Sequence, residues 1–154
     1  MGGTVMRTII VYYSMGGNTA FAAEQRREIR PLTEEELSAL REQARRDLTE
    51  RAKLYAPRVG VTYGRISIRH QKTKWGSCSS GGNLNFNCLL MLAPPEVLDS
   101  VVVHELCHRR HMDHSAAFYR DVRRVFPEYD KWNAWLKKNG PVLLKRMAAG
   151  AASK

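Results

Sequence analysis

Apolar residues at Leu37, Leu40, Ala44, Leu48, Ala52 and Tyr55 fall three or four positions apart, with Arg and Glu between them. That period draws one apolar stripe down a long helix. Thr33-Glu34-Glu35-Glu36 opens it as a capping box, with Thr33 at the N-cap and Glu36 at the third helical position. Pro57 should stop the helix just ahead of it. The pattern then changes. Val61, Tyr63, Ile66 and Ile68 mark a strand region. Residues 83–88 alternate, predicting a strand with Leu84, Phe86 and Cys88 buried and the asparagines on the other face. Ser79-Ser80-Gly81-Gly82 between them reads as a hairpin turn, so the sheet is expected to be small and antiparallel in type. Pro94-Pro95-Glu96 begins another helix, expected to reach about Arg110. Shorter helices are expected over 115–125, 129–138 and 142–147, before a frayed tail at 148–154. The fold class is α+β, with one domain over residues 31–147.

Residues 1–30 read differently. A β-branched and aromatic run over 5–13 predicts a strand, Ser14-Met15-Gly16-Gly17-Asn18-Thr19 a loop, and 20–29 a helix. The loop resembles the phosphate-binding Ser-x-Thr-Gly-Asn-Thr turn of flavodoxins, with Gly16 in place of the first Thr. No further βα units follow to complete a flavin site. The segment is therefore read as a flavodoxin-like remnant or an added piece, set apart by Pro31.

Composition narrows the function classes. A chain of 154 residues with 44% hydrophobic residues can bury one core without staples. No apolar run approaches the ~20 residues that cross a bilayer, and the short run at 9–13 is broken too early for a secretory signal. Cys78, Cys88 and Cys107 are odd in number and form no Cys-x-x-Cys pair, which points to a reducing, cytoplasmic setting. The net charge is +10 and uneven, with seven basic and no acidic residues from Arg51 to Pro95. The stretch from Lys131 to Lys154 is again purely basic. Such a field attracts nucleic acid or nucleotides, although it serves solubility equally well.

The chemistry concentrates in one place. His104, His108, His111 and His114 lie within eleven residues, and His104-Glu105-Leu106-Cys107-His108 has the His-Glu-x-x-His form. Positions four apart share a helix face, so two imidazoles can meet one zinc ion at ~2.0–2.1 Å. Glu105, rotated about 100° around the axis, is placed to take a proton from the zinc-activated water. Val101-Val102-Val103 makes this helix apolar, and unpartnered imidazoles would be costly there. A third ligand is required. His111 lies seven residues from His104, about 10 Å along a straight helix, and is read as a polar residue supporting the site. His114 can return if the chain turns through Met112-Asp113. It is favoured as third ligand, with Asp113, Asp121, Glu128 and Asp130 as alternatives.

His104-Glu-Leu-Cys-His108-x-x-His-x-x-His114-Ser-x-x-Phe118, preceded by Leu-Ala-Pro-Pro-Glu and by Lys74-Trp75-Gly76-Ser77-Cys78-Ser79, closely resembles the YgjP-like metallopeptidase-type domains, relatives of the SprT and WLM zincins. The resemblance runs from about Leu32 to Gly140. It implies a zincin-like α+β fold, zinc on His104, His108 and His114, and Glu105 as catalytic acid/base. Asp113 stands where the family usually has Asn, and the first 30 residues depart from the family's extra β-rich start.

Lys72, Lys74 and Trp75 complete the set of cleft candidates. The lysines can attract an anionic substrate and the strand edge can pair with a peptide, while Trp75 equally suits a packed anchor beside a glycine turn. Cys78, Cys88 and Cys107 are read as small buried residues, and Trp132 and Trp135 as helix packing. The expected function is a zinc-dependent hydrolase acting on a peptide or protein. The alternatives are a nucleotide phosphoanhydride hydrolase and a DNA-associated zinc module without turnover.

Overall fold

A computed structural model describes residues 31–70 and 73–152. The strand, loop and helix expected within 1–30 lie outside the described residues, as does Lys72.

Helix α1 (Glu34–Val59) leads into strands β1 (Ile66–Arg69), β2 (Gly76–Cys78) and β3 (Leu84–Asn87). A 3₁₀ segment (Cys88–Leu92) then connects to α2 (Pro95–Cys107), α3 (Ala116–Val125) and α4 (Tyr129–Ala152). The capping box forms: Glu36 N donates to Thr33 Oγ1 and Thr33 N to Glu36 Oε1, each at 3.0 Å. All six stripe residues of α1 are buried, and the helix packs chiefly on α2. It passes Pro57 and ends at Val59. In the last turn the proline forfeits one hydrogen bond, while burial of Val59 and closure by Gly60 hold that turn. Gly60 adopts φ 88°, where glycine has no steric cost, and its N–H reaches the Ala56 carbonyl at 2.8 Å.

The sheet is mixed, not antiparallel throughout, in the order β1-β3-β2. β2 and β3 form the expected hairpin around Ser79 to Gly82, but β1 lies parallel to β3, with Ile66 opposite Leu84. The strand region begins later than the apolar spacing predicts, since Val61 and Tyr63 are loop residues packed on the core. Leu84, Phe86 and Cys88 are buried as the alternation requires. Asn87 is buried too. Its amide donates to the Lys74 carbonyl and its Oδ1 accepts from Leu89 N, capping the 3₁₀ segment.

Two helix boundaries differ from the pattern. α2 stops at Cys107 because the following N–H groups bond three residues back: His108 to Glu105, Arg109 to Leu106 and Arg110 to Cys107. The two terminal helices are one, α4, which continues through Gly140-Pro141. Trp132, Trp135, Leu136 and Leu143 are all buried along it. Gly140 lets the Trp75 indole pack close, since a Cβ there would lie 3.0 Å from that ring. Packing overrides the local break. No helix among the described residues is long and apolar enough to cross a membrane.

Candidate metal centre

The tightened end of α2 turns the chain back over its own last turn. Ser115 then caps α3 by accepting from Phe118 N at 3.2 Å. This return sets His114 beside the two histidines of α2. One ring nitrogen from each of His104, His108 and His114 lies within 4.8 Å of the others. His104 Nε2 and His114 Nε2 are 3.3 Å apart. Two nitrogens each ~2.05 Å from one tetrahedral ion stand about 3.3 Å apart, so this pair has the spacing of a shared cation. Phe118 closes the back of the cluster, with ring centroids 4.9, 4.5 and 5.2 Å from His104, His108 and His114.

The Nδ1 atoms of His104 and His108 face other partners. His108 Nδ1 donates to the His111 carbonyl at 2.8 Å, which fixes its hydrogen on Nδ1 and leaves Nε2 as a lone-pair donor. His104 Nδ1 lies 2.8 Å from the Tyr129 hydroxyl. Burial, and then the neighbouring His108 and His114, push the His104 pKa down to about 3, and burial lowers that of His108. These two rings are neutral at ordinary pH, the form in which imidazole binds a metal. Three ring nitrogens at this spacing, the His108 one in a fixed tautomer, fit a divalent cation of the zinc class.

Glu105 is buried and faces the same cleft. Burial raises its pKa to about 8, against the pull of the Lys74 ammonium. Gly76 stands against it: a Cβ there would lie 3.1 Å from Glu105 Cγ and Oε2. The cleft holds about 430 Å³, bounded by β2 on one side and by Met112, Tyr129 and Leu136 on the other.

Lys74 is exposed at the cleft wall, and Trp75 is half-buried there with its indole against Gly140. His111 contributes its carbonyl to His108 and its ring Nε2 to Asp121 Oδ2 at 2.9 Å. Asp113 is exposed on the turn. Of the alternative ligands, Asp121 is held by His111, and Asp130 pairs with Arg123 at 2.9 and 3.2 Å. Glu128 is exposed. Cys88 and Cys107 are buried thiols with pKa pushed up to about 11 and 12, whereas Cys78 is half-buried on the cleft wall. Sequence reasoning missed Tyr129 and the fit of Gly76 to Glu105. Tyr129 is 25 residues from His104, and no local pattern links them.

Among curated proteins and among solved structures, nothing matches the chain. A family model described as the YgjP-like metallopeptidase domain matches residues 17–139, starting upstream of Leu32, where the motif resemblance begins. The match spans most of the chain and includes every residue of the histidine cluster, so the protein belongs to the YgjP-like metallopeptidase domain family.

Proposed function

We propose that the protein is a zinc-dependent peptidase of zincin-like fold, with His104, His108 and His114 holding the metal and Glu105 moving the proton. The observation that carries this reading is the convergence of three imidazole nitrogens beside a buried carboxylate at the floor of a cleft. Bound zinc supplies a Lewis acid that polarises a carbonyl and acidifies water. Glu105 accepts a proton from the attacking water and delivers it to the leaving nitrogen. Its raised pKa is that of the metal-free site, and an adjacent cation stabilises the carboxylate it needs as a base.

The substrate chain is positioned by β2. This strand ends the sheet order, so its far edge carries no partner strand among the described residues. Trp75 O and Ser79 N bond to the β3 side, which turns the N–H and C=O groups of Gly76 and Cys78 to the free edge. An extended peptide added there would run past Glu105. Lys74 at the same wall supports a second reading, attack on a phosphoanhydride, and parallel assays with an unstructured polypeptide and a nucleoside triphosphate separate the two.

Glu105→Gln is the direct test. Zinc content should be unchanged and peptide turnover should fall by about 10²–10⁴-fold. Turnover equal to the parent's would remove Glu105 from the mechanism.

A further inference from the structure

Away from the cleft, the fold gathers arginines that the sequence keeps apart. Arg124 Nη1 donates to the Arg58 carbonyl and Arg110 Nη1 to the Val59 carbonyl, each at 3.3 Å. Arg109 donates to the Thr62 carbonyl at 2.9 Å and to the Ser80 carbonyl at 3.3 Å. Arg110, just past α2, and Arg124 of α3 are thus set at the last turn of α1, Arg109 at the loop and hairpin beside it, and Arg58, 5.6 Å from the Tyr55 ring centroid, belongs to that turn. Asp121 is the acid that pairs into this group, 3.5 Å from Arg110 and 3.6 Å from Arg124. Four positive charges against one negative leave a surplus of three. A shallow cleft of about 480 Å³ is lined by Pro57, Gly60, Val61, Thr62, Arg109 and Arg110.

We infer that this arginine cluster is a binding surface for the phosphodiester backbone of nucleic acid. Each guanidinium carries five N–H donors. Arg110 and Arg124 each use Nη1 on a carbonyl and meet Asp121 through Nε, and Arg109 uses Nε and Nη1. Donors remain on all three, on groups already held in place, which lowers the ordering cost of binding. Capping the end of α1 takes one donor each from Arg110 and Arg124, Arg109 spends two on the loop and hairpin, and none of this accounts for the surplus charge. The cations are all arginine, whose planar fork matches phosphate oxygens. Large exposed hydrophobics among the described residues are Leu54 and Met112 alone, too little apolar area for membrane insertion. The inference does not depend on the peptidase reading.

The test is binding of a fluorescein-labelled DNA duplex by anisotropy between 50 and 200 mM salt. Four phosphate contacts predict a slope of about −3.6 in log K against log salt, a loss of about 150-fold across that range. Arg58→Gln/Arg124→Gln should halve the slope, leaving a loss of about 12-fold. Lys137→Gln/Lys138→Gln, which removes the same charge from α4, should leave the slope unchanged. If the double variant in the cluster does not fold, Arg58→Gln alone should lower the slope by about 0.9. No binding at 50 mM salt overturns the inference. Equal slopes in the two double variants, or binding to phosphatidylglycerol vesicles but not to the duplex, do so as well.

Discussion

Tyr129→Phe removes a single oxygen from the site and tests whether the hydroxyl orients a metal-binding imidazole. In the metal-free protein His104 can carry its hydrogen on either nitrogen, and losing the hydroxyl costs little. With a cation on Nε2 the hydrogen must sit on Nδ1, 2.8 Å from the Tyr129 oxygen. In the variant that N–H faces the edge of a phenyl ring in a buried site. A buried donor left unmatched costs about 1–3 kcal/mol, which is a weakening of zinc affinity by about 5–150-fold. The substitution conserves volume, so the metal-free melting temperature should stay within a few degrees of the parent. Competition against a chromophoric zinc chelator measures the affinity. A dissociation constant within twofold of the parent's would refute the argument that Tyr129 holds His104.

Two further predictions follow from the same geometry. Because the folded pKa of His104 is depressed to about 3, the unfolded chain binds the extra proton between that value and about 6.5. The stability of the chelator-treated protein should therefore fall as pH drops through this window, by up to about 1.4 kcal/mol per unit from His104 alone. Urea titrations at pH 7, 6 and 5 check it, and a midpoint that rises on acidification has the wrong sign. Gly76→Ala should push Glu105 aside, because its Cβ meets Glu105 Cγ and Oε2 at 3.1 Å and the Asn85 carbonyl at 3.2 Å. Peptide turnover should drop by about 10-fold or more with zinc content unchanged, given the sensitivity of rate to sub-ångström misplacement. Turnover at the parent's level would mean the carboxylate has room to spare.

The elements legible in the sequence are those whose signals are local and agree with one another. The α1 stripe and its capping box coincide, and the alternation at Leu84 and Phe86 matches the hairpin turn before it. The histidines could be placed because a four-residue spacing on a helix has one geometric meaning. Elsewhere, tertiary contacts decided. Gly140-Pro141 looks like a break, yet the Trp75 indole packs against Gly140 and Leu143 is buried beyond it. The parallel pairing of β1 with β3 joins residues 18 positions apart, and no alternation along either strand encodes its direction. Asn87 reads as an outward polar residue, but its side chain is consumed by the backbone at Lys74 and Leu89. Tyr129 and the arginine cluster are likewise products of the chain's return on itself.

The central claim is that His104, His108 and His114 bind one cation through their facing nitrogens. A crystal of the zinc-loaded protein, measured on either side of the zinc absorption edge, tests it most directly. One anomalous peak is expected about 2.0–2.1 Å from His104 Nε2, His108 Nε2 and a nitrogen of His114, with Glu105 close by but not bound. A fully loaded crystal whose only zinc peak lies away from these three rings would contradict it.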